Sequence, residues 1–174
     1  HLEADDPAIE SAAEGLVGKT DSETVDKTMA FVCKHLKSDP KLEKNHGALW
    51  ALQNKRGVCS EYADLFVALL RANKIPARVR CGYYLTEEFE PNRAPLHAWA
   101  EVYYQEYGWV PFEPYHVDLG DTKPDKMKNR YLYIGQHRRA EAFFGHRGFV
   151  LQYRGDTPSI YEEYKPISRK PLGN

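Results

Sequence analysis

The order of apolar and polar positions divides this chain into a helical first half and a strand-rich second half. From about Ser22 to Leu36, the apolar residues Val25, Met29, Val32 and Leu36 recur every three or four positions and so share one helix face, and Ser38-Asp39-Pro40 stops the run. Cys33 lies beside that stripe and reads as a small buried hydrophobe. A stronger pattern runs from about Cys59 to Asn73, where Tyr62, Leu65, Phe66, Leu69 and Leu70 form a broad apolar stripe ending before Lys74-Ile75-Pro76. It predicts a buried central helix. The intervening residues 41–58 read as a loop, punctuated by Gly47 and Gly57 around the short apolar patch Leu49, Trp50 and Leu52.

After Pro76 the period shortens to two. Strand patterns are predicted over 77–85, 96–104, 109–113, 131–135 and 148–153. No helical pattern of crossover length separates them, so they are expected to pair antiparallel, and helices followed by strands imply an α+β fold. The polar, acidic residues 1–22 are set apart as an N-terminal extension. Pro158, Pro166 and Pro171 mark 157–174 as an extended tail, which leaves 23–156 as the domain.

Composition narrows the choice of chemistry. A chain of 174 residues with 42% apolar content supports one sizeable core. Its 24 basic and 25 acidic residues leave a net charge of -1, so no global field recruits nucleic acid or anionic lipid. No run of 18 apolar residues exists, and membrane insertion is not expected. Three cysteines, Cys33, Cys59 and Cys81, are too few and too widely spaced for a disulfide scaffold or a paired-cysteine zinc site. A Cys33–Cys81 bond is one of three pairings the sequence leaves open. No two histidines fall at helical ligand spacing near a carboxylate, so neither a metal nor another cofactor is expected.

Cys59 opens the long helix, where unpaired backbone N–H groups and the positive end of the helix dipole stabilise a thiolate. Gly57 permits a tight backbone before it, and the Cys59 N–H is placed to bind a developing oxyanion. On the 96–104 strand, alternation puts Leu96, Ala98, Ala100 and Val102 on one face and His97, Trp99, Glu101 and Tyr103 on the other. The turn Gln105-Glu106-Tyr107-Gly108 leads into Trp109-Val110-Pro111-Phe112-Glu113 as the second strand of a hairpin. One register sets Glu113 directly opposite His97, and any even shift from it keeps them on one face within direct or diagonal reach. A thiol, an imidazole and a group orienting the imidazole are what acyl transfer through sulfur requires.

The ordered blocks Arg56-Gly57-Val58-Cys59-Ser60-Glu61-Tyr62-Ala63-Asp64-Leu65-Phe66, Arg71-Ala72-Asn73-Lys74-Ile75-Pro76-Ala77-Arg78, His97-Ala98-Trp99-Ala100-Glu101-Val102 and Gly108-Trp109-Val110-Pro111-Phe112-Glu113-Pro114 resemble the transglutaminase-like superfamily. It is a branch of the papain-like thiol enzymes, and the resemblance spans roughly 24–115. It implies a papain-like fold with Cys59 as nucleophile, His97 as base and Glu113 as orienting acid. A departure lies at Glu113, where the family's Trp-Val-Pro-x-Asp-Pro pattern has Asp, and Asp118 is the alternative acid. Gln53 stands six residues before Cys59, the separation of the oxyanion glutamine in papain. Trp99 and Trp109 are candidates for the substrate cleft, as Tyr83 and Tyr84 are more weakly. The expected reaction is hydrolysis of an amide in a protein or peptide substrate, with amine transfer, or a silent cleft binding peptide or glycan, as the alternatives.

Overall fold

A computed structural model describes residues 2–42, 45–84, 96–120 and 131–135. The expected strand at 148–153 and the tail at 157–174 lie outside the described residues. Helices and an antiparallel sheet make the α+β layout that the patterning predicts. The elements run α1 (Pro7–Glu14), α2 (Asp21–His35), β1 (Lys37–Ser38), α3 (Ala48–Asn54), β2 (Arg56–Gly57), α4 (Cys59–Ala72), β3 (Ala77–Tyr84), β4 (Leu96–Tyr104), β5 (Gly108–Phe112), α5 (Pro114–Asp118) and β6 (Tyr131–Gly135). The larger sheet has strand order β5-β4-β3-β6 with every pairing antiparallel, and β1 and β2 form a separate two-stranded parallel ribbon.

Helix α4 is the centre of the molecule. Tyr62 through Leu70 are all buried, so the helix is covered all round rather than on one stripe. Its C-terminus closes in a Schellman arrangement: Ile75 N–H bonds Leu70 C=O, Lys74 N–H bonds Arg71 C=O, and Lys74 takes the left-handed conformation at φ 63°. Pro76 then forbids continuation and the chain enters β3 after a short turn. This reversal lays β3 back along α4, so the Cys59 end of the helix lies at the Gly82 end of the strand. Gly82 pairs with His97 of β4. The four-residue turn after α4 therefore brings Cys59 and the His97 imidazole to one end of the domain.

Ala98, Ala100 and Val102 of β4 join Ala77, Val79 and Cys81 of β3 in the core. Phe112, opposite Ala100, continues this face to α4, where its ring lies 5.8 Å from that of Phe66.

Two stretches differ from the sequence expectation. Residues 7–14, placed in a polar extension, form α1: the Asp6 side chain caps Ala8 N–H, Pro7 begins the helix, and Ile9 and Ala13 are buried in the common core. Asn73 Nδ2 donates to Ala13 C=O at 2.8 Å and ties the ends of α1 and α4 together. Within 41–58, read as a loop, the structure forms α3 and β2; α3 ends on Lys55, left-handed at φ 55°. On the second face of β4, His97 and Trp99 are buried as well.

Candidate active site

Cys59, His97 and Glu113 converge. Cys59 is the first residue of α4 and is half-buried, with the N-terminal N–H groups of the helix beside it. His97 is only 7% exposed and Glu113 only 2%. The imidazole Nε2–H donates to Glu113 Oε2 at 2.6 Å, and a second hydrogen bond joins His97 to the Cys59 thiol. Burial alone would lower the His97 pKa. The hydrogen bonds to Cys59 and Glu113, with the charges of both, outweigh it and push the value up to about 10.

The hairpin register explains how the carboxylate arrives. Ala100 faces Phe112 and Val102 faces Val110, so continuing the ladder sets Glu113 opposite Trp99, two residues along from His97. The pair is therefore diagonal, not directly opposed. Glu113 also ends the strand: it is the N-cap of α5, and Pro114 starts the helix that folds back over the imidazole. His116 of α5 stacks on His97 at 4.6 Å with 12° between the rings, and Tyr115 lies 6.4 Å from the same ring. Sequence reasoning missed His116. Its signal was available in Glu113-Pro114, an acid followed by a proline at a helix start.

The second carboxylate oxygen, Glu113 Oε1, is buried and has no hydrogen-bond partner among the described residues. Such a group costs roughly 1–3 kcal/mol. Asp118 is engaged elsewhere, accepting from the Tyr62 hydroxyl at 2.7 Å.

Donor atoms of His97, Glu113 and His116 lie within 4.8 Å of one another, the one such group that could hold a metal among the described residues. Two of the three are already bonded to each other, and the near-parallel stack turns ring faces rather than nitrogen lone pairs toward its neighbour.

Glu61, fully buried one turn into α4, was also missed as a site residue. Its Oε2 accepts from Val58 N–H at 3.1 Å and the Ser60 hydroxyl at 2.9 Å, and Oε1 accepts from His46 N–H at 2.9 Å. One carboxylate thus grips both residues flanking Cys59 and the chain ahead of α3. Glutamate at the third helical position, reaching back to the cap, is the sequence signature that would have identified it. A Cβ on Gly57 would collide with that of Glu61, so glycine there is a requirement of close packing.

The remaining candidates separate. Gln53 is exposed on α3, and its side chain makes no hydrogen bond among the described residues. Trp99 is buried two positions from His97. Trp109 is paired with Tyr103 at the other end of β4, roughly 20 Å from His97 at strand rise. There it packs edge-on against Tyr103 and under the Arg78 guanidinium, 3.7 Å above its ring. Neither Cys33 nor Cys81 is joined in a disulfide. Burial first, then the charges of Asp118 and Glu113, pushes the Cys33 thiol up to about 12.

The family model described as the Transglutaminase-like superfamily matches residues 10–114, more than half of the chain and all of the elements just described from α2 to β5. The chain belongs to the transglutaminase-like superfamily. The match includes most of α1, which packs on α4. Among its relatives, the uncharacterised protein YebA of Bacillus subtilis is 34% identical over 85 residues, covering 43% of this chain and 12% of YebA. An uncharacterised Mycobacterium tuberculosis protein, Rv2569c, is 31% identical over 93 residues, 48% of this chain and 27% of its own. The chain thus spans about a quarter or less of these curated relatives.

Solved structures show the same transglutaminase-like fold. A candidate cysteine protease from Cytophaga hutchinsonii superposes with a TM-score of 0.53 at 24% identity, over 65% of this chain and 38% of that one. The periplasmic domain of TgpA from Pseudomonas aeruginosa gives 0.53 at 22% identity, over 66% and 44%.

Proposed function

We propose that this domain is a thiol-dependent amide hydrolase acting on a protein or peptide, with Cys59 as nucleophile, His97 as proton shuttle and Glu113 as the residue that orients and charges the imidazole. The observation that carries the reading is the buried His97, hydrogen-bonded on one side to Cys59 and on the other to Glu113. A buried imidazole held by a carboxylate and set beside a thiol favours its own charged form, ready to give a proton to a leaving amine.

In the first step the Cys59 sulfur attacks the amide carbonyl carbon and forms a C–S bond. The oxygen takes up negative charge, facing the Cys59 N–H at the start of α4. His97 then gives its proton to the amide nitrogen, the C–N bond breaks, and an amine leaves a thioester behind. Next, water loses a proton to His97 and adds to the thioester. The C–S bond breaks, a carboxylic acid departs and the thiol is restored. Throughout, Glu113 holds Nε2–H and balances the imidazolium charge. Hydrolysis, rather than transfer to an amine, is further supported by the name carried by the Cytophaga hutchinsonii fold neighbour.

The test is intact-mass analysis after mixing with a peptide pool, with and without a fluorescent primary amine. An acyl adduct on Cys59 and peptide fragments ending in free carboxylates are expected. Amine incorporation without such fragments would replace hydrolysis by acyl transfer, and the absence of any Cys59 adduct, with peptide still bound, would make the cleft a silent binding site.

A further inference from the structure

A second site lies beside the triad. An open cleft of about 770 Å³ is walled by the end of α2, the β1–β2 ribbon and the end of α3. Lys34, His35, Lys37, Lys55 and Arg56 line it, and the acid among its walls is Asp39. Asp39 is already held by Arg56, at 3.0 Å from Nη1. Lys34, Lys37 and Lys55 have no acidic partner among the described residues, which leaves the cleft cationic in a chain whose net charge is -1. Phe31 stacks on His35 at 4.9 Å, giving the basic walls an apolar flank.

The cleft adjoins the chemistry. Lys37 pairs with Arg56 and Ser38 with Gly57, two to three residues ahead of Cys59. Ser38 Oγ lies 3.0 Å from the Tyr115 hydroxyl, and the Tyr115 ring lies beside His97. An extended chain whose amide sits at Cys59 can therefore run its neighbouring residues along this wall.

The geometry points to a binding cleft for the acidic side chains of a peptide, flanking the amide that Cys59 attacks. The peptide character rests on the function proposed above; the preference for anions rests on the cleft alone. Separated single charges fit it better than a compact dianion. Three lysines on flexible stems offer separated point charges rather than a fork.

The experiment uses the Cys59→Ser protein, which cannot form a thioester, so that binding is read without turnover. Fluorescein-labelled tetraglutamate is titrated by anisotropy, with tetraglutamine as the neutral comparison and tripolyphosphate and inorganic phosphate as competitors. Tetraglutamate is expected to bind and tetraglutamine not, with affinity falling as salt rises from about 0.05 to about 0.2 M. Lys37→Glu/Lys55→Glu, folded by circular dichroism, should weaken binding by roughly tenfold or more. Equal binding by the double variant overturns the site. Displacement by tripolyphosphate at lower concentrations than unlabelled tetraglutamate overturns the peptide assignment in favour of phosphate. Loss of thioester chemistry in the wild type, with tetraglutamate binding intact, removes the proposed reaction and leaves the cleft standing.

Discussion

Glu113 meets His97 along the diagonal of the β4–β5 hairpin, with 2.6 Å between Oε2 and Nε2. Diagonal positions on one face stand roughly 7–8 Å apart, farther than directly opposed ones. The extra methylene of glutamate, where the family pattern has aspartate, helps to span that distance. Glu113→Gln should keep an acceptor oxygen but lose the charge, slowing amide turnover by roughly a hundredfold or more. Glu113→Asp should fall between it and the wild type. Asp118→Asn should leave the pH profile of Cys59 alkylation unchanged, because Asp118 bonds Tyr62. A shift confined to the Asp118 variant would transfer the role to that carboxylate.

Iodoacetamide at neutral pH should label Cys59 well before Cys33 or Cys81. Cys33 is held as the neutral thiol, its pKa pushed up to about 12, and Cys81 is buried in β3. Peptide mapping after short exposures reads the order directly, and equal labelling of the three would remove the special status of Cys59.

The raised pKa of His97 gives folding a pH dependence of defined sign. Its folded value of about 10 exceeds the ordinary 6.5, so the native state keeps this proton where the unfolded chain releases it. The stabilisation is full below about 6.5 and is lost as pH rises through about 10. Urea midpoints of the wild type and His97→Gln, compared from pH 6 to pH 10.5, should accordingly converge toward the alkaline end, all pH values being approximate. A gap that widens with pH would reverse the assignment.

Gly57→Ala should cost roughly 1–3 kcal/mol, since the new methyl meets the Glu61 side chain within a packed interior. The same change should slow Cys59 alkylation, because Glu61 bonds both Val58 and Ser60 around it. Denaturation midpoints and alkylation rates on one preparation check both; stability loss with an unaltered rate would confine Glu61 to the fold.

What the sequence disclosed follows from length and period. Helices α2 and α4, of 15 and 14 residues, are long enough for an apolar stripe to repeat, and β3 and β4 are long enough to alternate. Helices α1 and α3 span only 8 and 7 residues. The first presents Ile9 amid alanine and acids, and the second carries no side-chain cap, so neither repeats long enough to be heard above its neighbours. The two-residue strands β1 and β2 have no readable period at all. At the site, a hairpin pattern constrained His97 and Glu113 to one face but not to one register. Burial of that face was illegible because α5, which covers it, is five residues long.

Cys59, His97 and Glu113 are brought together in two unlike ways. His97 and Glu113 are sixteen residues apart on one hairpin, so their bond can form wherever that hairpin forms. Cys59 comes from another layer, and its meeting with His97 depends on α4 seating squarely on the sheet. Loosening that interlayer contact, as gentle heating or early denaturant does, would separate sulfur from imidazole while helix and hairpin persist. The reactivity of Cys59 is therefore a gauge of tertiary docking, set to vanish ahead of the secondary structure that carries it.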